Sequence, residues 1–133
     1  MNTATINDNA TKVAQALDLT FTTASKFCEA CEDIGLNIEV AVAFWDHHGF
    51  YGVDLEDMED IAQTAQDSFE GEHKDVEAYA WEYIESTGML QGVPEIIARY
   101  FDAEAFGRDM VLGGDVFVVE VGYGRCFVFN NHN

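Results

Sequence analysis

Hydrophobic residues recur at helical spacing through most of the chain. In the stretch 23–34, Phe27, Cys31 and Ile34 fall at i, i+4 and i+7, while acidic residues lie off this stripe. Such spacing places the apolar side chains on one face of a helix. Gly35 follows directly and is expected to end that helix, because glycine is the usual residue just past a helix C-terminus.

Two further helices are predicted on either side of this one. Residues 11–17 form a short apolar stretch that favours a helix. Asn37 is a suitable N-cap for a helix over 38–48, which Gly49 would close. The apolar run Val40–Trp45 is also compatible with a buried strand, but the cap and the closing glycine favour the helix.

The clearest periodicity begins at Asp54, which is placed to cap a helix. At 100° per residue, the apolar and the acidic side chains of this segment occupy opposite faces. The apolar face holds Leu55, Met58, Ile61, Ala62, Ala65 and Phe69, and the acidic face holds Glu56, Glu59, Asp60 and Asp67.

After a predicted turn at 70–74, the pattern indicates more helices and then changes. Asp75, Pro94 and Asp102 each stand at the start of a predicted helix, and the last of these ends at Gly113.

The last part of the chain is typical of β-structure. Val116–Val121 and Cys126–Phe129 are rich in β-branched and aromatic residues, and a short glycine-containing loop joins them. A lone hairpin is marginally stable, so this one must pack on helices or extend a sheet, within the chain or across a dimer. We predict an α+β fold that is mostly helical, with a C-terminal β-hairpin, in an elongated acidic molecule. The expected domains are a helical one at 1–52 and an α+β one at 53–133.

Charge narrows the range of functions. The 133 residues include 25 Asp and Glu against 6 Lys and Arg, for a formal charge of −19 and a pI of about 4.1. This charge disfavours direct contact with nucleic acid or with anionic membranes, which bind proteins through Lys and Arg. With 48% hydrophobic residues the chain is expected to fold. No secretory signal is recognised at the start, so a cytoplasmic location in a bacterial host cell is expected.

No motif indicates catalysis, a cofactor or a metal. Cys28 and Cys31 form a C-x-x-C, but the pair falls within a helical stripe and is interpreted as structural; with Cys126 the cysteines are odd in number and expected to be reduced. The adjacent His47 and His48 would point to different sides of a helix, which disfavours a shared metal ion. We therefore expect no enzyme activity, although 25 carboxylates leave open an unrecognised glycosidase-like pair.

The acidic residues are densest in the middle of the chain. Residues 29–85 contain 17 acids and one base, Lys74. Like charges at i and i+4 destabilise a helix, so we infer a role other than stability. Simple solubility or a halophilic origin is one alternative; the sharper hypothesis is that carboxylates on helices imitate the charge of duplex DNA and occupy a basic groove. The predicted acidic surface consists of Glu32, Asp33, Asp54, Glu56, Asp57, Glu59, Asp60, Asp67, Glu70, Glu72, Asp75, Glu77, Glu82 and Glu85.

Several strings in the C-terminal half resemble one family. YIESTGML (83–90), VPE (93–95), YFDAEAFGRDM (100–110) and the closing VFN (128–130) resemble the ArdA antirestriction proteins. The resemblance extends from about residue 25 to the end of the chain.

The resemblance implies a DNA mimic, carried by mobile elements or phage, that occupies the DNA groove of a type I restriction-modification enzyme. It also implies a homodimer formed through the C-terminal region. The chain is shorter than usual for the family, so we expect a form without the usual N-terminal domain. Alternatives are a mimic directed at another DNA-binding defence complex, such as a CRISPR effector, and a generic acidic protein-binding module.

Aromatic residues crowd the C-terminal region and are the expected dimer contacts, unless all are ordinary core residues. They are Tyr100, Phe101, Phe106, Phe117, Phe127 and Phe129.

Overall fold

The structure, a computed structural model, describes residues 3–50 and 53–131, with side chains described from residue 8 onward. Between Phe69 and Glu70 the chain divides into two compact units. We refer to them as the N-terminal unit and the C-terminal unit. The predicted α+β class is confirmed, since helices predominate and the strands lie at the end of the chain.

The N-terminal unit is helical. It contains α1 (Thr3–Leu17), α2 (Phe21–Ile34), α3 (Ile38–His48), a 3-10 turn (Leu55–Asp57) and α4 (Met58–Ser68). The apolar run within α3 is helical, as favoured, and the helix near the start of the chain is longer than predicted.

Local capping explains where these helices begin and end. The Asn37 side chain accepts a hydrogen bond from the Glu39 backbone N–H at 2.8 Å, and the Thr20 hydroxyl accepts one from Thr23 at 3.2 Å. Gly35 ends α2 in the left-handed conformation, with φ of 72°. Such a φ strains any residue with a Cβ, which is why glycine stands there.

Helix α2 lies at the centre of the N-terminal unit and packs against α1, α3 and α4. Phe27 is fully buried, and its ring meets that of Trp45 edge to face at 4.9 Å between centroids. From α4 the predicted apolar face supplies buried side chains: Met58, Ile61, Ala62 and Ala65.

The compact units divide after residue 69, whereas the predicted domain boundary lies between residues 52 and 53. The packing of α4 explains this difference. Helix α4 was assigned to the C-terminal domain, but its apolar face covers α2, and the Gln66 amide donates a hydrogen bond to the Ile34 carbonyl at 2.8 Å. A helix with one apolar stripe belongs with the surface that buries that stripe.

The C-terminal unit contains three helices. They are α5 (Val76–Thr87), the short α6 (Glu95–Ala98) and α7 (Ala103–Leu112). Asp75 and Asp102 cap α5 and α7 as predicted, accepting backbone N–H groups at 2.8 and 3.0 Å.

Helices α5 and α7 approach each other closely at Gly107. A Cβ on this residue would lie 2.8 Å from Cγ1 of Val76, too close for van der Waals contact. The absence of a side chain at Gly107 therefore sets the distance between the two helices.

The predicted hairpin is present as β2 (Val116–Gly122) and β3 (Arg125–Asn130), which pair antiparallel. It extends a sheet within the chain, because β1 (Phe69–His73) lies on the other side of β3, in the order β1-β3-β2. The predicted turn at 70–74 was thus wrong. A hairpin has a free strand edge, and the segment around Gly71 pairs with that edge as a short strand although its sequence is polar.

The core of the C-terminal unit lies between the sheet and the helices. One cluster includes Tyr79, Met110 and Val128, and a second includes Ile84 and Ala103. In the part of the chain that the structure describes, no helix is both long and apolar enough to cross a membrane.

Candidate functional site

The residues of the predicted acidic surface lie at the surface of the protein. None of the fourteen is buried; Glu32 and Asp57 are half-buried and the others are exposed. Eight belong to the N-terminal unit and six, from Glu70 onward, to the C-terminal unit. Each unit therefore presents its own group of carboxylates.

Some of these carboxylates are explained by the stability of the fold. Asp75 caps α5, and the Asp57 carboxylate accepts a hydrogen bond from the Asp54 N–H at 2.9 Å. Glu59 and Asp60 stand in the first turn of α4, where the helix dipole favours negative charge.

Glu72 also has a structural partner. Its carboxylate binds the Arg125 guanidinium at 2.8 Å, joining β1 to β3. The hydrogen bond from Arg125 lowers the pKa of Glu72, despite an opposing effect of desolvation. The sequence did not indicate this pair, because the two residues are 53 positions apart.

Other carboxylates lie at positions where their negative charge destabilises the helix. The last turns of α2, α4 and α5 contain Asp33, Asp67 and Glu85, and none of these turns contains a basic residue. A carboxylate at a helix C-terminus is repelled by the negative end of the dipole. Gln63 holds Asp67 in place through a hydrogen bond of 2.9 Å to the carboxylate. Asp33 and Glu85 have no evident role in stability, and for Asp67 the hydrogen bond from Gln63 offsets only part of the repulsion. We call these three residues the last-turn acids.

The carboxylates of α5 follow one another at short intervals along the helix. Glu77, Glu82 and Glu85 are separated by five and three residues, which corresponds to rises of about 7.5 and about 4.5 Å. All three are exposed, and a Glu82 carboxylate oxygen lies 3.5 Å from Nδ1 of the His73 ring. A basic surface laid along α5 would meet several negative charges within about 12 Å along the helix axis.

The aromatic residues expected at a dimer interface have different environments. Phe117, Phe127 and Phe129 are buried, and the rings of Phe117 and Phe129 stack at 4.9 Å with an interplanar angle of 11°. Within the chain these three are core residues, which was the alternative to a dimer contact. Successive side chains of a strand point to opposite faces of the sheet, and these three lie where the rest of the chain covers the sheet.

Phe101 and Phe106 are half-buried against α5. Their rings lie 5.7 Å apart, and Phe106 is 6.0 Å from Tyr83. Of the six expected contacts only Tyr100 is largely exposed, at 84%. It stands beside two further exposed apolar residues that the sequence reasoning did not single out, Ile96 and Ile97.

The cysteines are positioned for packing. Cys28 and Cys31 are both buried and free, and burial raises their pKa to about 11 and about 12. Such thiols stay protonated at neutral pH and are poor nucleophiles and metal ligands. Within the described residues no group of three or more His, Cys, Asp or Glu is arranged to hold a metal ion.

The molecule is thus an acidic α+β protein whose surface chemistry is dominated by carboxylates. A family model described as antirestriction protein (ArdA) matches residues 9–125 of the chain. The chain belongs to the ArdA antirestriction protein family, and the match begins earlier than the resemblance from residue 25 indicated. Neither the curated proteins nor the solved structures gave a match.

Proposed function

We propose that this protein is a DNA mimic that blocks the DNA-binding groove of a type I restriction-modification enzyme. The family supplies antirestriction as the activity. The observation that supports the mechanism is the set of last-turn acids, Asp33, Asp67 and Glu85, which oppose the helix dipole on three different helices. Selection for fold stability alone would favour Lys or Arg at these positions.

Electrostatics explains how such a surface would compete with DNA. Duplex DNA presents one negative charge per about 1.7 Å of axis, and an enzyme groove that binds it is lined with Lys and Arg. Carboxylates three or four residues apart on a helix recur every 4.5 to 6 Å or so, and several helices together approach the charge density of the duplex. The total charge of −19 would also accelerate the encounter with a basic groove.

The carboxylates divide into two groups for binding. The last-turn acids are the main proposed contacts. Glu56 and Glu77 are added to them because they are exposed, although each stands in the first turn of its helix, where the dipole also favours its charge. Asp57, Glu72 and Asp75 also support the fold through the hydrogen bonds described above.

We also propose that the protein is a homodimer that acts in the bacterial cytoplasm, where restriction enzymes meet incoming DNA. The segment around α6 supports the dimer, because Ile96, Ile97 and Tyr100 are 63%, 60% and 84% exposed. Three large apolar side chains close together in sequence are unusual on a surface otherwise rich in charge.

The proposed mechanism is tested by removing charge at chosen positions. The triple variant Asp33→Asn, Asp67→Asn, Glu85→Gln should inhibit DNA cleavage by a type I enzyme at least ten-fold less well, because three groove contacts lose their charge. The measurement is the inhibitor concentration that halves cleavage, with circular dichroism to verify folding.

A matched triple variant serves as the control. Asp18→Asn, Glu95→Gln, Glu104→Gln removes the same charge from exposed positions outside the predicted acidic surface, and should change inhibition less than three-fold. Equal losses in the two variants would contradict the assignment of the contacts. Inhibition of a CRISPR effector with restriction unaffected would contradict the type I target, and inhibition unrelated to DNA binding would favour a generic acidic module.

A further inference from the structure

The C-terminal unit contains an open cleft of about 630 Å³ between α5, α7 and the sheet. Its walls include three aromatic rings, Tyr79, Tyr83 and Phe106. The rings of Tyr83 and Phe106 lie 6.0 Å apart at an interplanar angle of 34°, so two tilted aromatic rings stand side by side in the wall. The cleft has the volume of a small-molecule site.

Carboxylates surround this wall. Glu70, Asp109 and Asp115 line the cleft, and among the described residues that line it there is no Lys, Arg or His. Burial, together with the charges of Glu70, Tyr83, Glu82 and Asp115, raises the pKa of Tyr79 to about 12. The cleft is therefore a site of negative potential that favours a cation.

The hydroxyl of Tyr79 is the second indication of a ligand. The residue is only 5% exposed, and its ring is held by contacts with His73 at 5.2 Å and Tyr83 at 6.3 Å. No hydrogen bond joins its hydroxyl to any residue that the structure describes, and no fully enclosed side-chain oxygen or nitrogen in that part of the chain lacks a partner. Tyr79 lines the cleft together with Glu70 and Asp115, whose charges act on its hydroxyl. A hydroxyl oxygen that opens to the cleft beside these carboxylates is available to a donor.

We propose that this cleft binds a guanidinium group. A guanidinium is planar and weakly hydrated, so it stacks on aromatic rings, and its N–H groups donate to carboxylates in a fixed fork. In the cleft it would lie against Tyr83 and Phe106, with its donors directed to Asp109, Asp115 and the Tyr79 hydroxyl. Asp109 and Asp115 are outside the predicted acidic surface, so this site does not rest on DNA mimicry.

The guanidinium could come from two sources that share this chemistry, an arginine side chain of a partner protein or a small free compound. Agmatine represents the free compound, and the peptide acetyl-Gly-Arg-Gly-amide represents the protein side chain. The same peptide with citrulline is the neutral control, since citrulline has nearly the same shape without the charge.

Nuclear magnetic resonance of ¹³C-methyl methionine gives a local readout. Met110 lines the cleft, whereas Met58 is buried in the N-terminal unit and serves as the internal reference. Agmatine, the arginine peptide or both should shift the Met110 methyl signal in a saturable manner, and the one that binds more tightly identifies the source. The citrulline peptide should not shift it. The same peptide with lysine, which has the charge without the planar fork of donors, should bind at least three-fold more weakly than the arginine peptide.

Variants test the residues. Asp109→Asn with Asp115→Asn should weaken binding at least ten-fold, and Tyr79→Phe should weaken it about three-fold without changing the fold. Glu95→Gln with Glu104→Gln removes the same charge outside the cleft and should change binding less than two-fold. Three results would overturn the proposal. The first is a Met110 signal that neither agmatine nor the arginine peptide shifts, the second is equal binding of the lysine and arginine peptides, and the third is an equal loss of binding in the two double variants.

Discussion

The two units of the molecule carry similar numbers of acids but use their surfaces differently. The N-terminal unit has 13 acidic and 2 basic residues, a formal charge of −11, and the C-terminal unit has 12 and 4, a charge of −8. Of the nine large hydrophobic side chains that are exposed in the described part of the chain, two lie in the N-terminal unit and seven in the C-terminal unit. The surface of the N-terminal unit is thus mainly charged, whereas the surface of the C-terminal unit combines charge with exposed apolar side chains.

We propose that this difference in surface separates two tasks, inhibition and self-association. A surface with many carboxylates and few exposed apolar side chains suits a basic partner, and its like charges oppose self-association. Exposed apolar side chains suit association with another apolar surface, and a second copy of the chain supplies one. We therefore expect inhibition and self-association to respond to changes in different residues.

The largest effect is expected on self-association. Replacing Ile96, Ile97 and Tyr100 by Ser should raise the dimer dissociation constant at least 100-fold, because apolar anchors dominate interface energies. Light scattering across a concentration series measures the mass, and the monomer of 14.8 kDa is the reference.

The N-terminal unit provides the matched control for this experiment. Phe21 and Leu55 are also exposed, at 50% and 44%, and their replacement by Ser should leave the dimer unchanged. A wild-type protein that is monomeric at micromolar concentration, or a dimer weakened equally by the control, would remove the proposed distinction between the units.

A smaller effect is expected on the stability of the C-terminal unit. Gly107→Ala places a Cβ 2.8 Å from the Val76 side chain and should lower the free energy of unfolding by about 1–3 kcal/mol. Urea denaturation measures this loss, and hydrogen exchange should show it in α5 and α7 more than in α2. Adding Val76→Ala should restore part of the stability, and a variant as stable as wild type would show that the helices can separate at little cost.

The smallest effect concerns the ion pair between β1 and β3. Arg125 lowers the pKa of Glu72, so the pair contributes stability above the ordinary carboxylate pKa and loses it as pH falls through the lowered value. Glu72→Gln should therefore lower the melting temperature slightly at pH 7 and leave it unchanged at about pH 2. Glu120→Gln, on the neighbouring β2, is the control. A difference that grows toward acid pH would contradict the sign of this effect.

Local signals in the sequence predicted what local forces determine. Asn37, Asp75 and Asp102 were recognised as caps because a cap depends on the few residues that follow it, and α4 was recognised from the spacing of its apolar residues. The exposure of the carboxylates followed from their cost of burial.

Features that depend on distant parts of the chain were missed. Strand β1 has no alternating apolar pattern and exists because β3 offers an edge. The aromatic content of the C-terminal region did not distinguish the buried Phe129 from the exposed Tyr100. Both stand next to other apolar residues in the sequence, and only the packing of the whole unit decides which of them is buried. The cleft likewise joins Glu70 to Asp115 across 45 positions.

The central claim, that this protein and DNA occupy one site, is tested most directly by competition. A fluorescent duplex with the recognition sequence is bound to a type I restriction-modification enzyme, and the protein is titrated at several salt concentrations. We predict complete displacement, with a half-displacing concentration that rises in proportion to the concentration of competing duplex, and direct binding of the protein that weakens as salt screens the charges. A ternary complex in which the enzyme holds the duplex and this protein together would contradict the claim.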